Sequence, residues 1–353
     1  MAISGSKPLQ IGVMGCGSIA RQFVAAVANS PHVTVAAAAS RDLAKSTEFA
    51  KAMPIARAYG SYEDLLADPG LDIIYVPLPN NMHLEWVVKA AQSGKHVLSE
   101  KPLALTLAQA RAMFAAAKDN GVMLLEAYPF WFQPQTRDML SLIHGKAIGE
   151  VRHVQASFGF NLQNGQDNIR MKPDMGGGAL LDAGSYAMSL IRLAFGEAPE
   201  RVMANSQMAD SGVDISTSAT LFFSRGRTAQ LYCAMNVGYH RLATILGSDC
   251  VIETEFLNHT SEDANHPLKY LPSLMRLRRG FGSTTPFEDV RSATGSGFAF
   301  CAEAFSRLIH SADFAAIDRA ASASMDIAAT LEAIERSARS GQVVEVAAPG
   351  APG

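Results

Sequence analysis

The stretch Gln10–Val27, QIGVMGCGSIARQFVAAV, decides the fold. An apolar run ends at Met14, the pattern G-x-G-x-x-A follows with Gly15, Gly17 and Ala20, and an amphipathic segment begins at once. In a strand–turn–helix unit the first glycine permits the tight turn and the second lets the backbone approach a pyrophosphate. The small third residue lets helix and strand pack closely, and the helix N-terminus faces the negative charge. The reading predicts a dinucleotide fingerprint, with Gly15, Cys16, Gly17, Ser18, Ile19 and Ala20 against the cofactor. Cys16 serves there as a small residue and not as a nucleophile.

Working outward, short apolar runs continue to Glu126: LQIGVMG, VTVAAAA, DIIYVPLP, KHVLSEKP and GVMLLEA, separated by stretches of helical length. That alternation predicts a parallel sheet covered by helices on both faces. Asn80 or Asn81 is expected to cap the helix containing HLEWVVKAAQ, and Gly94 to end it. After Glu126 the period changes. A helix over Pro134–His144 leads to two-residue alternation in EVRHVQASFGF, ISTSATLFFS, TAQLYCAMNVG and RLATILGS, the mark of antiparallel strands with one face covered. The fold class expected is α/β. A Rossmann doubly wound parallel sheet spans residues 1–126, and an α+β domain with a large, mostly antiparallel open sheet spans 127–353. The polar segment Asn258–Gly297 reads as a surface excursion whose Arg276, Arg278 and Arg279 form a solvated face. Two helical patterns and the strand QVVEV close the chain.

The 353 residues are 48% hydrophobic and 18% charged, the composition of a folded chain long enough for two cores. A net charge of -3 gives no reason to expect nucleic acid or an anionic membrane as partner, so a small-molecule ligand fits better. Met1–Gln10 has no apolar leader core, and no segment has the roughly 18 uninterrupted apolar residues of a membrane span. A cytoplasmic protein is expected. Cys16, Cys233, Cys250 and Cys301 are scattered, which predicts reduced thiols, no disulfide framework and no metal site.

The second strand ends at Ser40-Arg41, where an NAD-selective site would place an acid for the ribose hydroxyls. A hydroxyl and a guanidinium suit a 2′-phosphate, so NADP(H) is expected over NAD, with Lys45 as a further cation and Asp42 as a helix cap. In GKHVLSEKPLAL, Glu100 and Lys101 stand just past a strand. Ligands lie outside the carboxyl ends of such strands, which would bring Lys101 into the nicotinamide crevice. The other reading of this pair is a surface lysine bound to Glu100. The preceding strand end brings Leu78, Asn80 and His83 towards the same crevice, although His83 equally suits packing. In LLDAGSYAMSL, Leu180, Ala183, Gly184, Ala187, Leu190 and Ile191 form an apolar stripe. Asp182 and Tyr186, four residues apart, share another face, turned either to a cleft or to water.

With the fingerprint, VPLPNNMH, GKHVLSEKPLAL, EAYPFWFQP and GGGALLDAGSY in this order, the chain resembles the Gfo/Idh/MocA oxidoreductases over nearly its whole length. Its branch is similar to glucose–fructose oxidoreductase, NADP-dependent xylose dehydrogenase and dimeric dihydrodiol dehydrogenase. The resemblance implies that Lys101 stands near the reacting carbinol and that Tyr186 passes the proton while hydride moves to or from nicotinamide C4. Asp182 would orient Lys101 or a substrate hydroxyl. A free phenol with pKa about 10 is a poor base at neutral pH, and a nearby ammonium favours its ionised form. The resemblance also implies a homodimer through the C-terminal sheet. The chain departs from the pattern at Trp131, where relatives similar to dihydrodiol or xylose dehydrogenases carry an Arg. Trp131 and Phe132 offer an aromatic wall for a sugar ring or nicotinamide, or else pack between domains. Arg170 faces the same pocket or the surface. The expected activity is NADP-dependent oxidation of an aldose C1 hydroxyl to a lactone or the reverse carbonyl reduction, including reaction of two sugars in turn on tightly held NADP. The alternatives are a trans-dihydrodiol dehydrogenase and a non-catalytic NADP-binding sensor. Retention of Lys101, Asp182 and Tyr186 together argues against the sensor.

Overall fold

The computed structural model describes residues 7–163 and 165–348. Met1–Ser6, the larger part of the segment read as lacking a leader core, lies outside them. The chain forms two compact units.

The first unit holds six strands: β1 (Leu9–Met14), β2 (Val33–Ala39), β3 (Arg57–Tyr59), β4 (Ile73–Val76), β5 (His96–Glu100) and β6 (Leu124–Ala127). All pair in parallel in the order β3-β2-β1-β4-β5-β6. Sequence alternation located every strand except β3, whose three residues RAY are too few to show a period. Both faces of the sheet are covered, so β4 (IIYV) and β6 (LLEA) are buried throughout. Helices α1 (Ser18–Val27), α2 (Leu43–Ala52), α3 (Tyr62–Leu66), α4 (His83–Gln92) and α5 (Leu107–Asp119) connect the strands. In α1, Ala20, Phe23, Val24 and Val27 are buried, the spacing of a core-facing stripe. The expected asparagine cap of α4 is not formed. A three-ten turn over Asn80–Met82 intervenes, and the helix begins at His83 without a side-chain cap. It ends at Ser93, and Gly94 follows at φ +72°, as the sequence suggested.

The second unit contains α6 (Pro134–His144), β7 (Val151–Asn161) and α7 (Ser185–Phe195), the last entered through a π-helical turn over Leu180–Gly184. There follow β8 (Arg201–Met208), β9 (Asp214–Phe222), β10 (Thr228–Ala234), β11 (Asn236–Gly247), β12 (Cys250–Thr254), β13 (His259–Thr260), β14 (Leu274–Arg279), β15 (Glu288–Arg291) and β16 (Gly295–Ser296). With β17 (Val344–Glu345), all of these strands except β13 and β16 build a nine-stranded sheet ordered β15-β14-β12-β11-β7-β10-β9-β8-β17, and β13 pairs with β16 in a separate two-stranded sheet. Its pairs are antiparallel except β7 with β10. Helix α7 lies on β7 and β10, which explains why β10 alternates buried Ala229, Leu231 and Cys233 with exposed Gln230 and Tyr232.

Part of the expected excursion over 258–297 is regular, because β14 and β15 extend the sheet. In β14, Met275 and Leu277 are buried while the arginines point outward. Arg276 pairs with Glu253 and Arg279 with Glu288, and both arginines are about half exposed. The cluster is the solvated face that was expected.

Helix α8 (Gly297–Ser311) groups with the first unit instead of the second, a difference from a single division at residue 126. Phe298 meets Phe23 of α1 edge-on at 5.9 Å, and Ser30 donates to Glu303 at 2.8 Å. The residues of α9 (Phe314–Ser340) from Ala323 onward belong to the second unit. There Asp326 meets Arg192 of α7 at 2.6 Å, and Ser337 accepts from the Ala204 amide of β8. Among the described residues, no helix is long and apolar enough to cross a membrane.

Candidate functional site

In the first unit the fingerprint turn has the shape its sequence requires. Gly15 sits at φ +106°, in the left-handed region, and a Cβ there would lie 3.1 Å from a methyl of Leu78. Gly17 precedes α1 with no side-chain cap, and a Cβ added to it meets nothing within 4 Å. The first-turn N–H groups therefore adjoin open space, the arrangement that receives a pyrophosphate. Ser18 and Ile19 are exposed and Ala20 is fully buried, so the helix start is open while its third small residue packs.

At the end of β2, Ser40 is buried and Arg41 and Lys45 are exposed. Asp42 does not supply an acid for ribose hydroxyls, because its carboxylate accepts from the Ala44 and Lys45 amides and caps α2. Burial pushes the Cys16 thiol up, opposed by Lys45 and Arg21, which agrees with a small neutral residue in the turn. Burial also pushes the Tyr62 phenol up, and the charge of Arg41 opposes it. Arg21, Arg41 and Lys45 thus bring positive charge to the fingerprint turn. These residues fit a dinucleotide carrying a 2′-phosphate.

The loop after β5 is tied down from several sides. Glu100 is 9% exposed and accepts from Tyr75 Oη at 2.6 Å, so its carboxylate does not lie at the surface. Lys101 follows as a partly buried residue. Glu126 accepts from the Leu103 amide at 2.8 Å. His83 is fully buried, with Nδ1 3.0 Å from the Pro102 carbonyl and Nε2 2.9 Å from that of Leu78. Burial holds its pKa below the ordinary range despite those carbonyls. His83 is therefore corrected from a cofactor contact to a packing residue: both ring nitrogens face backbone carbonyls. Its effect is to join the end of β4 to the loop that carries Lys101. Asn80 lies in the three-ten turn just before it.

In the second unit, Asp182 lies within the π-helical turn and Tyr186 one residue into α7. A π turn inserts an extra residue per hydrogen-bonded ring, a departure often found at functional positions and one that apolar spacing does not reveal. The apolar stripe is buried as expected. Tyr186 is buried as well, at 7% exposure, so it does not occupy a wet face. Its Oη accepts from Asn258 Nδ2 at 3.0 Å. Asp182 pairs with Arg170 at 2.6 Å, with the two side chains 20% and 38% exposed. This contact brings Arg170 to Asp182. Gly177 makes the approach possible, since a Cβ there would collide with the Arg170 carbonyl. Asp214 accepts from the Leu180 amide at 2.8 Å and holds the start of the π turn. Trp131 and Phe132 are half-buried in a three-ten turn over Pro129–Phe132.

The structure adds a residue that sequence reading missed. Arg241 of β11 is 7% exposed, and its guanidinium carbon lies 4.6 Å from the Tyr186 ring centroid. The rings of Phe158, Phe256 and Phe130 stand at 4.8, 4.7 and 5.8 Å. Its Nη2 donates to Asn258 Oδ1 at 3.0 Å, so one amide joins Arg241 to the Tyr186 hydroxyl. Gln133 in turn donates to the Asn258 carbonyl at 2.7 Å. The signal was present in the β11 alternation, which puts Arg241 on the same inward face as Ala243 and Ile245.

Comparison with known proteins agrees with this division. Residues 9–128 match the model of an oxidoreductase family with an NAD-binding Rossmann fold, and residues 136–253 match the GFO/IDH/MocA C-terminal domain. The chain is 34% identical to D-xylose 1-dehydrogenase (NADP(+)) 2 of Haloferax volcanii, covering 96% of this chain and 100% of that protein. It is 34% identical to the trans-1,2-dihydrobenzene-1,2-diol dehydrogenase of Xenopus tropicalis over 81% of this chain and 89% of that one. Among solved structures, aldose-aldose oxidoreductase from Caulobacter crescentus, complexed with glycerol, superposes with a TM-score of 0.83 at 26% identity. That match covers 96% of this chain and 99% of the other.

Proposed function

The chain belongs to the Gfo/Idh/MocA oxidoreductase family, and on that premise we propose that it is an NADP(H)-dependent oxidoreductase of sugars, interconverting an aldose C1 hydroxyl and the lactone. The observation that carries the reading is Tyr186. It is a buried phenol, held through its oxygen by Asn258 and set beside a cation, in a helix that is otherwise apolar packing. A structural helix gains little from such a group, whereas a proton-transfer step needs one with a fixed position and a tuned acidity.

Bound NADP(H) supplies the hydride acceptor or donor at nicotinamide C4. Gly15 to Ala20 would hold its pyrophosphate at the α1 N-terminus, and Ser40, Arg41 and Lys45 would hold its 2′-phosphate. Leu78 and Asn80 border the same strand ends, and His83 and Glu126 fix the backbone at Pro102 and Leu103, directly after Lys101. Tyr186 exchanges the proton of the substrate hydroxyl. Lys101 supplies a positive charge for the developing alkoxide of the substrate. Asp182, oriented by Arg170, binds a sugar hydroxyl, and Trp131 and Phe132 give the sugar ring an apolar face. Catalysis by a homodimer formed through the nine-stranded sheet belongs to the same proposal.

A second reading, oxidation of a trans-dihydrodiol, is favoured by the similarity to dihydrodiol dehydrogenases. The test is absorbance at the reduced-nicotinamide band, with mass analysis of the purified protein before and after a panel of aldoses, aldonolactones and trans-dihydrodiols. Turnover on aldoses should fall by roughly 10²- to 10⁴-fold in Lys101→Ala and in Tyr186→Phe, with NADP still bound. Unchanged turnover in both variants removes the assigned roles, and absence of turnover with every compound favours a dinucleotide sensor.

A further inference from the structure

Arg241 carries a role that the proton-transfer assignment alone does not contain. Among the described residues it is a buried cation in contact with no carboxylate, and its Nε has no hydrogen-bond partner there. Burial lowers its pKa, and the neighbouring tyrosines Tyr186 and Tyr239 oppose that shift. A guanidinium placed so must recover its lost hydration from something other than an ion pair. The four aromatic rings supply part, because a cation over a ring face is attracted by its quadrupole. One of these rings differs from the rest, since Tyr186 can become an anion. Ionisation of its hydroxyl adds negative charge to the same π face that Arg241 covers, 4.6 Å away.

We propose that Arg241 is a positioning residue for the tyrosine. Its guanidinium lies against the ring and is linked to the hydroxyl through Asn258, so it stabilises the ionised phenol and sets the pH at which Tyr186 can take up a proton. The surroundings agree. Asn258 donates through Nδ2 to the Tyr186 oxygen and accepts Arg241 through Oδ1, a polarity that favours negative charge on the phenol. His259, next in the chain, is kept neutral by burial and by Arg241 itself and adds no competing cation. Asp182, four residues before Tyr186, is the acid nearest in sequence, and its charge is engaged by Arg170. Phe130, Phe158 and Phe256 carry no charge, and Tyr239 contacts the arginine from its own strand.

This inference rests on the reading of Tyr186 as the proton-transfer group, and two readouts separate them. The first is the titration of Tyr186 itself, followed by NMR of ¹³Cζ-tyrosine-labelled full-length protein, with Tyr186→Phe identifying the signal. The second is the pH dependence of kcat/KM for aldose oxidation. In Arg241→Met the Tyr186 midpoint should rise by at least about one pH unit, the scale of removing an adjacent cation, and Arg241→Lys should restore most of it. Asn258→Asp puts a carboxylate between the two partners and should shift the midpoint upward with Arg241 retained. The acid limb of the rate profile should move by the same interval in each variant. A Tyr186 midpoint that stays at its original value in Arg241→Met overturns the proposal. If that variant does not fold, an unmoved midpoint in Asn258→Asp overturns it instead. A midpoint that moves while the rate profile stays fixed supports the effect of Arg241 on the phenol and removes Tyr186 from proton transfer.

Discussion

Acid should destabilise the second unit through His259, and the size of the effect follows from its surroundings. The imidazole stacks on Tyr270 at 5.1 Å, and burial, with Arg241 adding to it, pushes its pKa from 6.5 down to about 4. Above pH 6.5 the folded and unfolded forms are both neutral, and the residue contributes no pH dependence. As pH falls from 6.5 towards 4 the unfolded chain binds a proton that the folded chain does not, so stability is lost across that window. Two and a half pH units of difference correspond to at most about 3 kcal/mol, of which about 2 kcal/mol is lost by pH 5. The perturbation is His259→Gln, which removes the titration. Urea unfolding of wild type and variant at pH 7 and pH 5 gives two differences, and subtracting them cancels the depressed histidines His83, His96 and His153 common to both. Wild type should lose about 2 kcal/mol more than the variant, or about 4–8 °C in Tm for a unit of this size. Equal losses in the two proteins would refute the argument, because His259 would then protonate as readily folded as unfolded.

Other outcomes follow from the same geometry. Arg41→Ala should raise the Kd for NADP by about 10- to 100-fold, the value of a charged hydrogen bond to phosphate, while the Kd for NAD changes little. Fluorescence titration of both cofactors checks this, and an equal change in the two would remove Arg41 from the 2′-phosphate. Gly178→Ala should destabilise the second unit by roughly 2–4 kcal/mol. The residue sits at φ +113°, and a Cβ would collide with the Asp214 carboxylate that holds the Leu180 amide. Urea unfolding monitors it, and a loss below about 0.5 kcal/mol would mean that the turn accommodates the methyl group by moving.

The sequence by itself determined the cofactor half of this protein. A fingerprint works through residues adjacent in the chain, so Gly15, Gly17 and Ala20 could be placed on a strand–turn–helix unit without knowing what packs around it. The missing acid at Ser40-Arg41 was likewise a local fact. The alternation of buried and exposed residues in β7, β9 and β10 fixed the character of the second sheet for the same reason. Only the tertiary structure decided what surrounds the side chains. The assignment of His83 to packing needed the carbonyls of Leu78 and Pro102, one of them 19 residues away. The position of Asp182 needed a π turn, which leaves the apolar pattern of LLDAGSYAMSL intact while changing its hydrogen bonding. The environment of Tyr186 is built from Asn258, 72 residues downstream, and from Arg241 on another strand. Periodicity can assign an arginine to the inward face of a strand. Which rings it covers depends on contacts that close only when the sheet and helix come together.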